Sequence, residues 1–133
     1  MSDVIELPVS GNSDVVTVRQ RVRTAAQEIG LSVVDQTKLV TAASELARNT
    51  VVYGGGGRVR IEEVSRGARR GLRLLFSDEG PGIPDQAQAL TDGWSTGGGL
   101  GLGLSGSRRL VDEFDLDSGS GEGTRVTVVK WAR

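Results

Sequence analysis

Gly93-Trp94-Ser95-Thr96-Gly97-Gly98-Gly99-Leu100-Gly101-Leu102-Gly103-Leu104-Ser105-Gly106 is the stretch on which the reading of this chain turns. Seven of its fourteen positions are glycine. Such a run cannot build a core, because glycine brings no side chain and loses the most backbone freedom on ordering. What it offers is backbone access: amide N–H groups can approach a ligand closely and the chain can take positive φ without a Cβ clash. The residues that follow, Leu104 to Phe114, read as a helix. A glycine loop feeding a helix N-terminus presents several N–H donors and the positive end of a helix dipole, an arrangement suited to phosphate. By composition alone the same run also reads as a flexible linker, so its meaning depends on what lies upstream.

The rest of the chain narrows the choices. Its 133 residues suffice for one domain around one core. A net charge of −1 lacks the electrostatic footprint of a nucleic-acid binder. There is no cysteine, which excludes disulfides, zinc–thiolate sites and a thiol nucleophile, and no histidine, which excludes an imidazole base or a Ser-His-Asp triad. No apolar run approaches the roughly 20 residues of a membrane span. The Met1-Ser2-Asp3 start has no signal-peptide character, so a cytoplasmic location is expected.

Taken in order, residues 3–10 alternate, with Ile5, Leu7 and Val9 on one face, and Pro8 marks an edge strand. Ser13 or Asp14 can cap a helix reaching Ile29, with Val15, Val18, Val22, Ala25, Ala26 and Ile29 in its apolar stripe and Gly30 as its stop. Ser32-Val33-Val34-Asp35 resembles a capping box and opens a second helix over 34–52, with Leu39, Ala42, Ala43 and Leu46 buried. Near its end stand Glu45 and Asn49, four apart and projecting from one side. By spacing alone such a pair is also an ordinary solvated flank.

Gly54 to Gly57 stop that helix. Strands over 58–64 and 71–78 then form a hairpin around a basic turn, Arg66 to Arg70. The second strand delivers Asp78-Glu79-Gly80-Pro81-Gly82. A carboxylate there can accept a hydrogen bond from an exocyclic amine such as that of adenine, or can simply brace a turn. Residues 85–92 read as a short helix or loop. Asp115 to Ser118 and Thr124 to Trp131 read as the last strands, joined by a turn through Gly121 and Gly123.

Four elements stand in one order: Glu45-x-x-x-Asn49 on a helix, Asp78-x-Gly80-x-Gly82 after a strand, the glycine loop 97–103 before a helix, and Gly121-x-Gly123-Thr124 before the last strand. That order resembles the Bergerat ATP-binding fold of DNA gyrase, the Hsp90 chaperone, histidine kinases and MutL. The resemblance spans essentially the whole chain. Its short length, with Glu45-Leu-Ala-Arg-Asn49 and Arg108-Arg-Leu-Val-Asp-Glu-Phe114, resembles the small serine kinases of bacterial partner-switching systems, nearest to the stressosome switch kinases and next to the anti-sigma-factor kinases. The resemblance implies an α/β (α+β) two-layer sandwich, a mixed and mostly antiparallel sheet with the three helices on one face, forming one histidine-kinase-like ATPase domain over 1–133.

It also implies roles. Asn49 would hold Mg²⁺, Glu45 would take the proton of the attacking hydroxyl, and Asp78 would accept from the adenine amine. Gly80 and Gly82 would let the backbone approach the base. Gly97, Gly98, Gly99, Gly101 and Gly103 would form a mobile lid over the phosphates of ATP, and Thr124 would support the adenine end. Partners implied are STAS-domain antagonist or scaffold proteins, which such kinases phosphorylate on Ser or Thr, and a PP2C-type phosphatase that they activate; nucleic acid and membrane are not among them. A nucleotide-gated interaction module without kinase activity is the reading from a different class. The chain departs from the histidine-kinase pattern at Val52, where a lysine is common, and its lid holds no Lys or Arg. Arg48, Arg108 and Arg109 are the nearest cations by sequence for the γ-phosphate, which phosphoryl transfer needs to stabilise.

Overall fold

The computed structural model describes residues 4–81, 104–118 and 123–133. Five strands form one sheet: β1 (Val4–Val9), β2 (Gly57–Arg66), β3 (Arg69–Asp78), β4 (Glu113–Ser118) and β5 (Thr124–Trp131), in the order β1-β2-β3-β5-β4. Every pairing is antiparallel. Three helices, α1 (Asn12–Glu28), α2 (Val33–Val52) and α3 (Leu104–Leu110), complete the described elements.

The layers follow from two periodicities. Along β2 and β3, Val59, Ile61, Leu72, Leu74 and Phe76 point to one face and are buried, while arginines and glutamates alternate with them on the other. On the helices, Val15, Val18, Val22 and Ala26 of α1 and Leu39, Ala43, Leu46 and Ala47 of α2 close over that apolar face as one core. Val126 and Val128 of β5 and Leu104 of α3 join it. β1 lies at the sheet edge, as Pro8 requires.

Local signals behave as read, with three differences. The Ser32 side chain accepts from the Asp35 backbone N–H at 3.1 Å, a true cap for α2. Gly30, at φ +86°, ends the helical turn after α1. At the start of α1, however, Asp14 does not cap: its carboxylate accepts from the backbone N–H and hydroxyl of Ser10, at 2.9 and 2.8 Å. The hairpin turn is tighter than the basic run suggests, since Arg66 pairs with Arg69 across Gly67-Ala68, with Gly67 at φ +62°.

The third difference is the helix expected to run to Phe114, which stops at Leu110. The spacing of Leu110, Val111 and Phe114 fits a helix, but the chain is captured by β5 instead. Asp112 donates its N–H to the Val129 carbonyl at 2.9 Å and its carboxylate accepts from the Trp131 N–H at 2.7 Å. Phe114 then pairs with Val128, facing the core, so the strand begins at Glu113 rather than Asp115.

One cluster in this end of the core is charged. The Lys130 ammonium, in a residue only 3 % exposed, lies 3.7 Å from Asp35 and 3.6 Å from Asp112. The exposed guanidinium of Arg133 also reaches both carboxylates. Lys130 therefore ties the start of α2 and the exit of α3 to β5. On the opposite face of the sheet Trp131 lies against Gly71, 8 % exposed, with the Arg66 guanidinium 4.8 Å above its ring. Its indole N–H donates to Glu113 at 2.7 Å.

Candidate nucleotide site

β3 ends at Asp78, and the parity that buries Leu72, Leu74 and Phe76 turns Asp78 toward the same side. The C-terminal turn of α2 arrives there with Asn49, Thr50 and Tyr53. Thr124, first residue of β5, is the register partner of Asp78. Asn49, Asp78 and Thr124 thus line one pocket, floored by Leu46, Phe76 and Val126 and closed on one side by Leu104.

The Asp78 carboxylate is set by its neighbours. Oδ1 accepts from the Gly80 N–H at 2.9 Å. Burial pushes its carboxyl above the ordinary value, against backbone N–H groups of Gly80 and Thr124 that pull it down. Gly54 lies directly on the carboxylate: a Cβ there would stand 2.5 Å from Oδ2. A Cβ on Gly80 would in turn meet the Gly54 Cα at 2.7 Å. The two glycines are needed because two backbones and one carboxylate share a space that admits no further carbon. On the β4 side, the Thr124 and Ser118 hydroxyls are hydrogen-bonded at 2.9 Å, and Ser118 also donates to the Gly123 carbonyl at 2.9 Å.

Glu45 sits one turn before Asn49 on α2 but lines a different, adjoining cleft between α1, α2 and α3. Gly82, the glycines 97–99, 101 and 103, the segment 85–92 and Gly121 lie outside the described residues. Gly54 was legible only as part of a helix stop; four consecutive glycines exceed what a stop needs, and that excess was the signal. Thr50, Tyr53 and Phe76 carried no local mark, since each reads as an ordinary helix or strand position.

The donor set suits a nucleotide with a hard cation. Among the described residues no three acidic or otherwise ligating side chains cluster. A hard cation held mainly by phosphates and water needs few protein ligands; the neutral side-chain oxygen of Asn49 is of the type it takes, and the desolvated acceptor of Asp78 fits an exocyclic amine.

Residues 34–132 match the family of histidine kinase-, DNA gyrase B- and HSP90-like ATPases, and the chain belongs to that family. Within it, the chain is 49% identical over 120 residues, 90% of each chain, to the serine/threonine-protein kinase RsbT of Bacillus subtilis (strain 168), which places it among the RsbT-like serine/threonine-protein kinases. It is 29% identical over 102 residues, 71% of this chain and 69% of the relative, to the anti-sigma F factor of Clostridium novyi (strain NT). In structure it resembles the RsbU and RsbW domains of Rv1364c from Mycobacterium tuberculosis, with a TM-score of 0.64 and 24% identity, covering all of this chain and 33% of that one. The catalytic domain of histidine kinase ThkA has the same fold, at a TM-score of 0.54 and 16% identity over 96% of this chain and 95% of that one. Among the described residues no helix is long and apolar enough to cross a membrane.

Proposed function

We propose that residues 1–133 act as one Mg²⁺-ATP-dependent protein serine/threonine kinase domain of a cytoplasmic partner-switching system, phosphorylating a STAS-domain protein and, when released from it, activating a PP2C-type phosphatase. The observation that carries this reading is the convergence of Asn49, Asp78 and Thr124 on one pocket with Glu45 one helical turn away. The RsbT relative supports the stressosome type over the anti-sigma-factor type, by 49% identity against 29%.

Each residue has a stated task. Asp78 accepts from the adenine amine, while Gly54 and Gly80 keep the backbone close to the base and Thr124 supports the same end. Asn49 holds the cation through its amide oxygen. Bound Mg²⁺-ATP supplies the transferable phosphoryl group. Glu45 takes the proton of the acceptor hydroxyl as its oxygen bonds to phosphorus and the bond to the ADP leaving group breaks. A carboxylate is a suitable general base in a chain that has no histidine. The glycines of 97–103 are proposed as the lid over the phosphates.

The second reading, a nucleotide-gated switch whose output is binding alone, is favoured by one observation: Glu45 faces a cleft other than the one lined by Asn49 and Asp78. Glu45→Ala separates the two. In the kinase, this variant keeps ATP and partner affinity and loses about 10²–10⁴ in transfer rate. Wild type and variant are incubated with labelled ATP and the STAS protein from the same genome, and phosphoserine or phosphothreonine is mapped by mass spectrometry. Absence of transfer by wild type, with partner exchange still following nucleotide state, establishes the switch.

A further inference from the structure

At the pocket end of the sheet one row of residues crosses four strands. Gly57 of β2, Asp78 of β3, Thr124 of β5 and Ser118 of β4 are successive register partners, so their side chains share the face on which the pocket lies. Asp78 and Thr124 line the pocket. Ser118 stands one strand further out, on the edge strand, and is not part of the lining.

The hydrogen bonds of Ser118 decide where the protons of this row lie. A serine hydroxyl has one proton to donate and lone pairs with which to accept. The proton of Ser118 goes to the Gly123 carbonyl at 2.9 Å, because a carbonyl only accepts. The Ser118 and Thr124 hydroxyl oxygens are also 2.9 Å apart. With the Ser118 proton committed, the bond between the two hydroxyls needs the proton of Thr124. The carbonyl at the start of this chain is itself held in place. Gly123 is buried at φ +77°, and a Cβ on it would run into the Asp78 carbonyl. The turn before β5 thus orients Ser118, and Ser118 orients Thr124. Thr124 is left with lone pairs alone to show the pocket.

We propose that Ser118 is a positioning residue that sets nucleotide specificity: by taking the Thr124 proton it makes Thr124 an acceptor, and the pocket then selects a 6-aminopurine over a 6-oxopurine. This role rests on the adenine reading of Asp78 and extends it. Asp78 and Thr124 stand side by side across the β3–β5 ladder. Two neighbouring acceptors suit an exocyclic amine, which has two protons, directly or through a bridging water. The carbonyl of a 6-oxopurine would face oxygens with no proton between them, and a site whose polar groups go unpaired rejects such a ligand. A Thr124 hydroxyl free to rotate would undo part of this selection, since it could donate to that carbonyl. Ser118 acts through Thr124 and needs no contact with the base.

The test compares ATP, ITP and purine riboside triphosphate, which has no 6-substituent, by calorimetry with Mg²⁺. The proteins are wild type, Ser118→Ala, Ser118→Thr, Ser118→Ala/Thr124→Val and Asp78→Asn. Ser118→Ala removes the acceptor of the Thr124 proton. The expected result is a preference for ATP over ITP reduced about three- to tenfold, mainly through tighter ITP binding, with purine riboside triphosphate unchanged. Ser118→Thr keeps a hydroxyl and should keep the preference of wild type. Removing the Thr124 hydroxyl as well, in the double variant, should abolish the gain in ITP affinity.

A Ser118 whose only task is to hold β4 to β5 would, when lost, weaken all three nucleotides alike, and that outcome overturns the proposal. An unchanged ratio of ATP to ITP affinity in Ser118→Ala overturns it too. Should Asp78→Asn lose the preference while Ser118→Ala keeps it, the adenine reading stands and the role of Ser118 falls. A wild type that binds ATP and ITP equally overturns both.

Discussion

The carboxylate of Asp78 is partly withdrawn from water before any ligand arrives, and its pKa is raised by that burial. The sign of its effect follows. A carboxyl whose folded pKa exceeds its unfolded value contributes stability that is present at low pH and lost as pH rises through the folded value. The nucleotide-free protein should therefore lose stability as pH rises through the acid range above 3.8, and Asp78→Asn should flatten that dependence in urea titrations. ATP binding should run the other way, because only the ionised carboxylate is a pure acceptor for the adenine amine. Affinity should fall as the solution is acidified through the same window. At neutral pH, Asp78→Asn should weaken ATP by about 1–3 kcal/mol in calorimetry. Unchanged affinity in a folded variant would remove the adenine role.

Among the elements, α3 carries a buried hydroxyl: Ser107 is 2 % exposed and has no hydrogen-bond partner among the described residues. A buried hydroxyl without a partner costs roughly 1–3 kcal/mol, and alanine is the better helix former. Ser107→Ala should raise the urea midpoint; a lowered midpoint would mean that the hydroxyl has a partner in solution. The elements also show what the sequence made legible. The stripes of α1 and α2 were clear because their apolar residues recur at the helical period, over about four turns in α1 and about two in α2, and Ser32 and Gly30 marked their ends. Asp78 could be assigned to the pocket side by parity with Phe76. The end of α3 was not legible, since Leu110, Val111 and Phe114 satisfy a helix locally while the competing ladder lies on β5. Nor were the separate clefts of Glu45 and Asn49: four residues turn a helix slightly past one revolution, and only the positions of α1 and α3 decide what each side chain faces.

For the whole molecule, the buried ammonium of Lys130 joins parts far apart in the chain. Lysine at an inward position of the last strand has no local signal, because its partners Asp35 and Asp112 come from α2 and the α3–β4 link. Removing one member of a fully buried ionic cluster costs about 3–5 kcal/mol; here the exposed Arg133 still reaches both carboxylates. Lys130→Met should therefore lose less stability than that, and more at high salt, where Arg133 is screened. Unfolding curves for wild type and variant, each at low and high salt, provide the check.

Trp131 has an optical consequence. The chain has two tryptophans, Trp94 beside the glycine run and Trp131. The indole of Trp131 is held against Gly71, beneath Arg66 and on Glu113, on the face of the sheet away from the pocket. Its emission is thus a steady background. With Trp131→Phe, an aromatic ring is kept against Gly71 and a single tryptophan remains, at the edge of the sequence proposed to close over the phosphates. Nucleotide arrival and departure can then be timed in a stopped-flow instrument without attaching any dye.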